Sequence, residues 1–457
     1  MNMHPLSAEA YQLFHQGTLA LADVETNGIC VDVSYCEQQY EILGKKIERL
    51  KDKLNDEQDV KRWKHKFGSK FNIDSDVQLG QMLFDYFKCT PINTTKSGKP
   101  SVDSETLNSL KEQHPFLEIL LELRKIQKVR DTYISMFLRE QVDGLLHPFF
   151  NLSLVHTYRS SSNSPNWQNL PVRDPVQGEV VRKAIKSRKG HRLMGVDYSG
   201  IEVRTASWYH KDPTMLEYIH DPSKDMHRDM GCELYVLSLD EIKNSKARYS
   251  AKNAFVFPEF YGSYYKQTAN DLWKNIDKLE LVNMVTGQSL KTHLKKKGIR
   301  NYSAFERHVQ KVEDKFWNDR FPVYTQWKEE QIKFYNTRGY VDLLTGFRCS
   351  GIMRKNQVIN FPVQGVAFHC LLWDLIQVND ILKREKWRTK IVGQIHDEIV
   401  ADVYEPECKD FIALVHRVMC HSIRRHWDWI ITPLDVEVKS TEVDGTWNDR
   451  KELKMTV

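Results

Sequence analysis

Residues 390–403 read as strand, turn and strand: Lys390–Ile395 is mostly apolar, His396-Asp397-Glu398 is polar, and Ile399–Val403 is apolar again. A hairpin of this kind needs a sheet to sit in and leaves its turn at the sheet's edge. A second strand fits beside it. Residues 192–198 (Arg-Leu-Met-Gly-Val-Asp-Tyr) read as a buried strand ending at Asp197, with a helix start immediately after. Each acidic residue has an ordinary explanation on its own: Asp before Ser caps helices, and tight turns favour Asp for backbone reasons. Two acidic turns on neighbouring strands are another matter. They can place two carboxylates around a pair of Mg²⁺ ions, and such a pair, about 3.5–4 Å apart, clamps both oxygens of a phosphoryl transfer. Mg²⁺ needs only one or two carboxylates when substrate phosphates complete its shell.

The rest of the chain is mainly helical. Residues 35–55 carry Tyr40, Leu43, Ile47, Leu50 and Leu54 at helical spacing, and 104–142 read as a longer helical run broken near His114-Pro115. Thr94 to Pro100 is a polar loop between them, and 150–175 have Ser, Asn and Pro loop chemistry. Helical patterns dominate 199–340, and 366–384 form a strongly apolar helix. The expectation is a small antiparallel sheet with two helical lobes inserted or appended.

At 457 residues the chain exceeds one ordinary core, and about two to four lobes are expected. Hydrophobic residues at 41 % and charged residues at 28 % exclude wholesale disorder. No run approaches 18 uncharged apolar residues, so no membrane span is expected, and the start shows no secretory pattern. The eight cysteines form no C-x-x-C pair, which argues against zinc ribbons and disulfide frameworks and suits a reducing cytosol. Net charge is only +5, but residues 241–300 hold 12 Lys/Arg against 5 Asp/Glu, and 45–70 hold 10 against 5. Such patches suit a phosphate backbone; singly, each also reads as a solvated helix face.

Arg248 and Lys252 stand four apart on one helical face, followed by Phe255-Val256-Phe257-Pro258-Glu259-Phe260-Tyr261-Gly262. Two cations with an aromatic platform are what a triphosphate and a base need. An ordinary basic surface helix has the same look.

Taken together, these segments resemble motifs A, B and C of the family A DNA polymerases, the bacterial DNA polymerase I type. Residues 197–204 (Asp-Tyr-Ser-Gly-Ile-Glu-Val-Arg) match the family's D-Y-S-Q-I-E-L-R at six of eight positions, and Ile395-His396-Asp397-Glu398 is similar to its V-H-D-E. Thr157 to Arg173 resembles T-G-R-L-S-S-S-x-P-N-L-Q-N-I-P-V-R, with Arg159, Asn166, Gln168, Asn169 and Arg173 in step. Asn360-Phe361-Pro362-Val363-Gln364-Gly365 resembles N-M-P-V-Q-G, and Arg124–Tyr133 resembles the helix that precedes the palm.

The resemblance implies an α+β right-hand fold: a palm with a small antiparallel sheet, and a helical thumb and fingers. Residues 1–30 would pack on the palm, 31–148 form the thumb, 149–210 and 346–457 the palm, and 211–345 the fingers. It implies template-directed, primer-dependent DNA synthesis from dNTPs with release of pyrophosphate. Asp197 and Asp397 would ligate two Mg²⁺ ions, with Mn²⁺ as a substitute, and Glu398 would be a secondary carboxylate. Arg248, Lys252 and His227 would hold the triphosphate, and Lys252 would protonate the departing pyrophosphate. Glu202 would crowd the sugar 2′ position. Arg159, Asn360 and Gln364 would touch the primer–template minor groove, a shape check on pairing that reads no sequence. Asn166, Gln168, Asn169 and Arg173 belong to the same primer–template set, and His396 would lie near the primer terminus.

The match has departures. Motif B carries one residue too many: steps of four from Lys252 reach Val256 and Phe260, whereas stepping back from Tyr261 reaches Phe257. A kink or one-residue bulge near 257–259, at Pro258, is expected to restore phase, with Phe257 against the incoming sugar and Tyr261 by the templating base; Phe260 competes for the second role. Gly200 replaces the usual Gln, and 263–303, including Lys295–Lys297, departs from the bacterial pattern. Asp23-Val24-Glu25-Thr26 mimics a 3′–5′ exonuclease signature, but Leu21–Val33 fits the segment that precedes the thumb. The expectation is a polymerase domain alone, phage or viral in type, working in the cytoplasm of a host, with any exonuclease or other replisome protein a separate chain and no membrane partner. A gap-filling or lesion-bypass polymerase stays open. A phage-type RNA polymerase shares the motif logic, but Glu202 and the 157–173 motif argue against it, and a non-catalytic DNA-binding scaffold would need no paired carboxylates.

Overall fold

A computed structural model describes residues 3–95, 97–171 and 175–453. Its centre is a five-stranded antiparallel sheet built from β1 (His191–Tyr198), β2 (Lys390–Ile395), β3 (Glu398–Tyr404), β4 (Val436–Ser440) and β5 (Lys451–Leu453), in the order β5-β4-β1-β3-β2. The hairpin β2–β3 is the one expected, and its neighbour is the expected strand β1. The register sets Glu398 opposite Asp197 on one side and Glu437 opposite Asp197 on the other. A strand buried on both faces reads as a continuous apolar run rather than an alternating one. β1 obeys this: only Arg192 and Asp197 within it are part-exposed.

The helix Lys355–Arg384 packs on β2 and β3 and is the core of the molecule. It is the one helix among the described residues long and apolar enough to cross a membrane by length and composition, yet 78 % of its apolar window is buried inside the protein. A helix hydrophobic all round belongs in a core of this kind. It starts well before the expected 366, so Asn360 to Gly365 lie within its first turns.

Two hydrophobic cores flank the sheet's edge. The larger joins the sheet, the core helix and a helical lobe in which Val33–Asp56 packs on Phe116–Gln127 through Leu43, Ile47, Leu50 and Leu54. The expected run 104–142 breaks where expected, around His114-Pro115: Ser104–Leu110 precedes the break, and Phe116–Gln127 follows it and continues through a π-turn at Lys128–Ile134 into Ser135–Glu140. The second core gathers Met215 to Trp327 and is closed by Ala206, Ile359 and Val363, so it is welded to the sheet side by two helices. Lys295 and Lys296 end a short helix, Leu290–Lys296, where Lys296 donates to Gln288 at 2.7 Å.

The N-terminal residues are stitched to the same body. Met3–Pro5 pairs with Phe347–Ser350, and the helix Ala8–Asn27 packs on the core helix. Asp23 and Glu25 lie on that helix. Asp23 accepts from Asn379 at 2.8 Å and Lys383 at 2.7 Å, and Glu25 accepts from the Phe150 amide at 2.7 Å. Both carboxylates are spent on tying the helix down.

Candidate active site

Asp197 ends β1 and Asp397 sits in the β2–β3 turn, one residue before Glu398. Strand alternation puts Asp197 on the same face as Gly195, with Glu398 across from it. His396 takes a left-handed φ of 52°, which tightens the turn. Gly200, at φ 62° and ψ 39°, turns the chain from β1 into the helix Ile201–His210; a glycine meets no steric cost there, which is a local reason for it in place of Gln.

Burial, and then the neighbouring Glu398 and Asp397 carboxylates, push the Asp197 carboxyl up to about 7. Burial also raises Asp397, against the opposing pull of Arg159. Oδ1 of Asp397 is buried without a hydrogen-bond partner, and Arg159 approaches it no closer than 3.9 Å. Glu398, in contrast, is committed: its carboxylate accepts from Arg450, whose guanidinium lies 3.7 Å over the Trp447 ring. Among the described residues no group of three or more His, Cys, Asp and Glu side chains forms a metal cage. Two carboxylates, one with an unmet acceptor, are the donor set that suits a hard divalent cation completed by substrate oxygens.

Beside the acidic pair, Glu202 is held from two sides. One carboxylate oxygen accepts from Arg159 and the other from the Tyr261 hydroxyl. Asn360 donates to the Tyr261 carbonyl at 3.3 Å. Glu202, Phe257, Tyr261, Asn360 and Gln364 together line one pocket between the two cores.

The cationic set lies on the second lobe. Arg248 pairs with Asp225 at 2.5 Å, Lys252 stands 5.3 Å from the Phe257 ring centroid, and the His227 and Phe257 rings meet edge-on at 5.6 Å. Burial, then the Lys252 and Arg248 charges, push His227 down to about 4, so its imidazole is neutral at pH 7 and its Nδ1 is buried without a partner.

The extra residue of motif B is absorbed upstream of the expected place. Lys252–Val256 is a π-turn, and α-geometry resumes at Phe257–Phe260. A π-turn carries one residue more than an α-turn and resets the phase of everything after it. Pro258 then falls in the first turn of the resumed segment, where its missing N–H costs little. Phe260 packs in a cluster with Phe316, Trp317, Phe321 and Tyr324, and it lines the same pocket as Phe257 and Tyr261.

The loop preceding β1 reaches the hairpin through a polar network. Ser160 donates to Gln394 at 2.6 Å, Gln168 donates to Ser160 and to Gln394 at 2.8 Å each, and Gln394 donates to the His396 carbonyl at 2.5 Å. Asn166 and Asn169 lie exposed on either side of this contact. Arg173 lies outside the described residues. Sequence reasoning missed Arg450, Ser160, Gln394 and Asp225 as partners. A buried Gln inside an otherwise apolar strand was the one available signal; the others pair across the chain.

The family model for DNA polymerase family A matches residues 34–448. The chain belongs to DNA polymerase family A. It is 29 % identical over 432 residues to the thermostable DNA polymerase I of Thermus filiformis, covering 92 % of this chain and 46 % of the relative. It is 24 % identical over 459 residues to the DNA polymerase of Bacillus phage SP01, covering 88 % of this chain and 46 % of that one. The chain thus spans about half the length of these relatives. Among solved structures, the POL domain of Pol1 from M. smegmatis, in complex with DNA primer-template and dNTP, superposes with a TM-score of 0.73 at 25 % identity, covering 95 % of this chain and 70 % of that one. The right-hand polymerase fold expected from the motifs is therefore the fold of this family A chain.

Proposed function

We propose that the chain extends a DNA primer on a DNA template, using dNTPs and releasing pyrophosphate. The observation that carries this reading is the pair Asp197 and Asp397 at the ends of adjacent strands, with an unmet acceptor on Asp397. Asp197 and Asp397 would hold two divalent ions, Mg²⁺ in the first instance. Bound there, the ions supply Lewis-acid stabilisation of the attacking and leaving oxygens.

The chain's own residues do the rest. Arg248, Lys252 and neutral His227 gather the triphosphate; Asp225 fixes the Arg248 fork. As the primer 3′ hydroxyl loses its proton to solvent and its oxygen bonds to the α-phosphorus, the bond to pyrophosphate breaks and the Lys252 ammonium donates a proton to the departing oxygen. Phe257 and Tyr261 shape the nucleoside pocket, and Glu202, braced by Arg159, crowds the 2′ position. Arg159, Asn166, Gln168, Asn169, Arg173, Asn360, Gln364 and His396 position primer and template, and Glu398, through Arg450, steadies the turn that carries Asp397.

In this reading 31–148 act as thumb, 211–345 as fingers, and 149–210 with 346–457 as palm, with 1–30 docked on the palm. The likeness to a phage polymerase supports genome replication in a host cytoplasm. The engagement of Asp23 and Glu25 in helix docking supports a polymerase unit whose proofreading comes from a separate exonuclease. Primer extension on a recessed template tests the reading. Extension with dNTPs, abolished by Asp397→Asn while primer–template binding persists, supports it. Extension by that variant at the wild-type rate overturns it.

A further inference from the structure

One cluster of reactive groups lies in the 33–140 lobe and belongs to none of the sets assembled above. Sγ of Cys89 is 3.3 Å from Nε2 of His114, and Nδ1 of the same ring is 2.7 Å from Oδ2 of Asp59. The three come from separate segments: Asp59 from the helix Gln58–Phe67, Cys89 from the turn after the π-turn Gln81–Tyr86, and His114 from the break before the helix Phe116–Gln127. The arrangement is held from outside. Arg62 donates to the other Asp59 oxygen at 3.2 Å, the Cys89 amide donates to Leu83 at 2.9 Å, and Phe87 lies 4.6 Å from the imidazole. The His114 and Asp59 side chains are 14 % and 17 % exposed, whereas Cys89 is half-buried and reachable.

A carboxylate on Nδ1 fixes the tautomer: Nδ1–H is donated to Asp59, and the Nε2 lone pair faces the thiol. This is the order nucleophile, base, orienting acid that activates a weak nucleophile at the moment of attack. Burial and the Asp59 charge raise the Cys89 thiol, so at rest it is S–H beside Nε2 of His114. Cys36, Cys349, Cys370 and Cys420 are buried, and the other part-exposed thiols, Cys30, Cys232 and Cys408, have no imidazole partner among the described residues.

We propose that Cys89, His114 and Asp59 form a thiol-modification site that takes low-molecular-weight disulfides. His114 Nε2 takes the thiol proton as the Cys89 sulfur attacks one sulfur of the disulfide. The disulfide's S–S bond breaks, a mixed disulfide forms on Cys89, and the leaving thiolate takes the proton from His114. One disulfide and one thiol are exchanged, with no other oxidant. Asp59 is a positioning residue and touches no reacting atom.

The test treats the full chain with oxidised glutathione and follows each cysteine by peptide mass spectrometry. Because His114 takes the proton during attack, Cys89 is expected to react about tenfold or more faster than Cys30, Cys232 or Cys408 despite its raised thiol. His114→Gln and Asp59→Asn are each expected to slow Cys89 by about 10²-fold while the other thiols keep their rates. A merely structural role predicts the opposite sign, because loosened packing exposes Cys89 and speeds its reaction. If His114→Gln unfolds the lobe, Asp59→Asn decides. Equal rates for the part-exposed thiols in the wild type, or a Cys89 rate unchanged or raised in Asp59→Asn, overturn the proposal.

Discussion

Tyr198 places its hydroxyl 2.5 Å from Oδ2 of Asp374 and 2.9 Å from the Met419 carbonyl. A phenol carries one hydrogen and cannot donate to both acceptors. Both contacts are met when Asp374 is the neutral acid, donating to the phenol oxygen while the phenol donates to Met419. Burial pushes the Asp374 carboxyl well above the usual carboxylate range, in agreement. Asp374 is fully buried on the core helix, and Tyr198 faces it from the back of the strand whose front carries Asp197.

A raised acid favours the folded state only while it is protonated. From its unfolded value of 3.8 upward, rising pH ionises Asp374 in the unfolded chain but not in the folded one, and stability falls until the folded value is reached. Asp374→Asn removes this loss. The variant is expected to melt about 1–2 °C above wild type at pH 7, and the gain should vanish near pH 3.5. Tyr198→Phe strands the acid and is expected to cost about 1–3 kcal/mol. Thermal unfolding at the two pH values reads both, and a less stable Asp374→Asn at pH 7 contradicts the neutral-acid assignment.

Glu202 cannot swing freely, because Arg159 and Tyr261 hold its two oxygens. If it crowds the sugar, Glu202→Ala should raise ribonucleotide incorporation relative to deoxyribonucleotide by about 10²-fold. Single-nucleotide insertion with paired rNTP and dNTP measures the ratio. An unchanged ratio removes Glu202 from sugar discrimination.

The π-turn at Lys252–Val256 makes a positional prediction for motif B. Asn253 is exposed within it, donating to the Tyr249 carbonyl at 2.9 Å. Deleting Asn253 should convert the π-turn to an α-turn and leave Phe257 and Tyr261 in phase, with a KM for dNTP within about tenfold of wild type. Deleting Pro258 rotates Phe257 by about 100° relative to Tyr261 and should abolish turnover. Steady-state kinetics on the two deletions would put the bulge elsewhere if their effects were reversed.

Gly195 leaves room for the Glu398–Arg450 pair. A Cβ there would lie 1.7 Å from Oε1 of Glu398 and 2.4 Å from Nη1 of Arg450. Gly195→Ala must therefore displace the pair next to Asp197 and is expected to lower kcat by about tenfold or more while far-ultraviolet circular dichroism stays unchanged. A variant with wild-type kcat shows that Glu398 and Arg450 have no bearing on the turn's function.

The acidic strand ends were legible in the residues because everything they depend on is local. Apolar runs of strand length, a polar turn and a helix start after Asp197 specify β1, the β2–β3 hairpin and the following helix with little help from the rest of the chain. The amphipathic helix Val33–Asp56 was legible for the same reason, since its period is carried by neighbours in sequence, and the core helix was legible over 366–384 from its apolar run.

What the tertiary structure alone decided is of two kinds. An extra residue in a helix can be absorbed at any of several turns, and packing chose Lys252–Val256 because that places Phe260 in an aromatic core and frees Tyr261 for Glu202. The pairings of Glu398 with Arg450, Tyr198 with Asp374, Ser160 with Gln394, and Cys89 with His114 join residues 25 to 234 positions apart. No periodicity reaches that far. Such contacts are settled by burial, since a polar group taken from water must find its partner wherever the fold brings one.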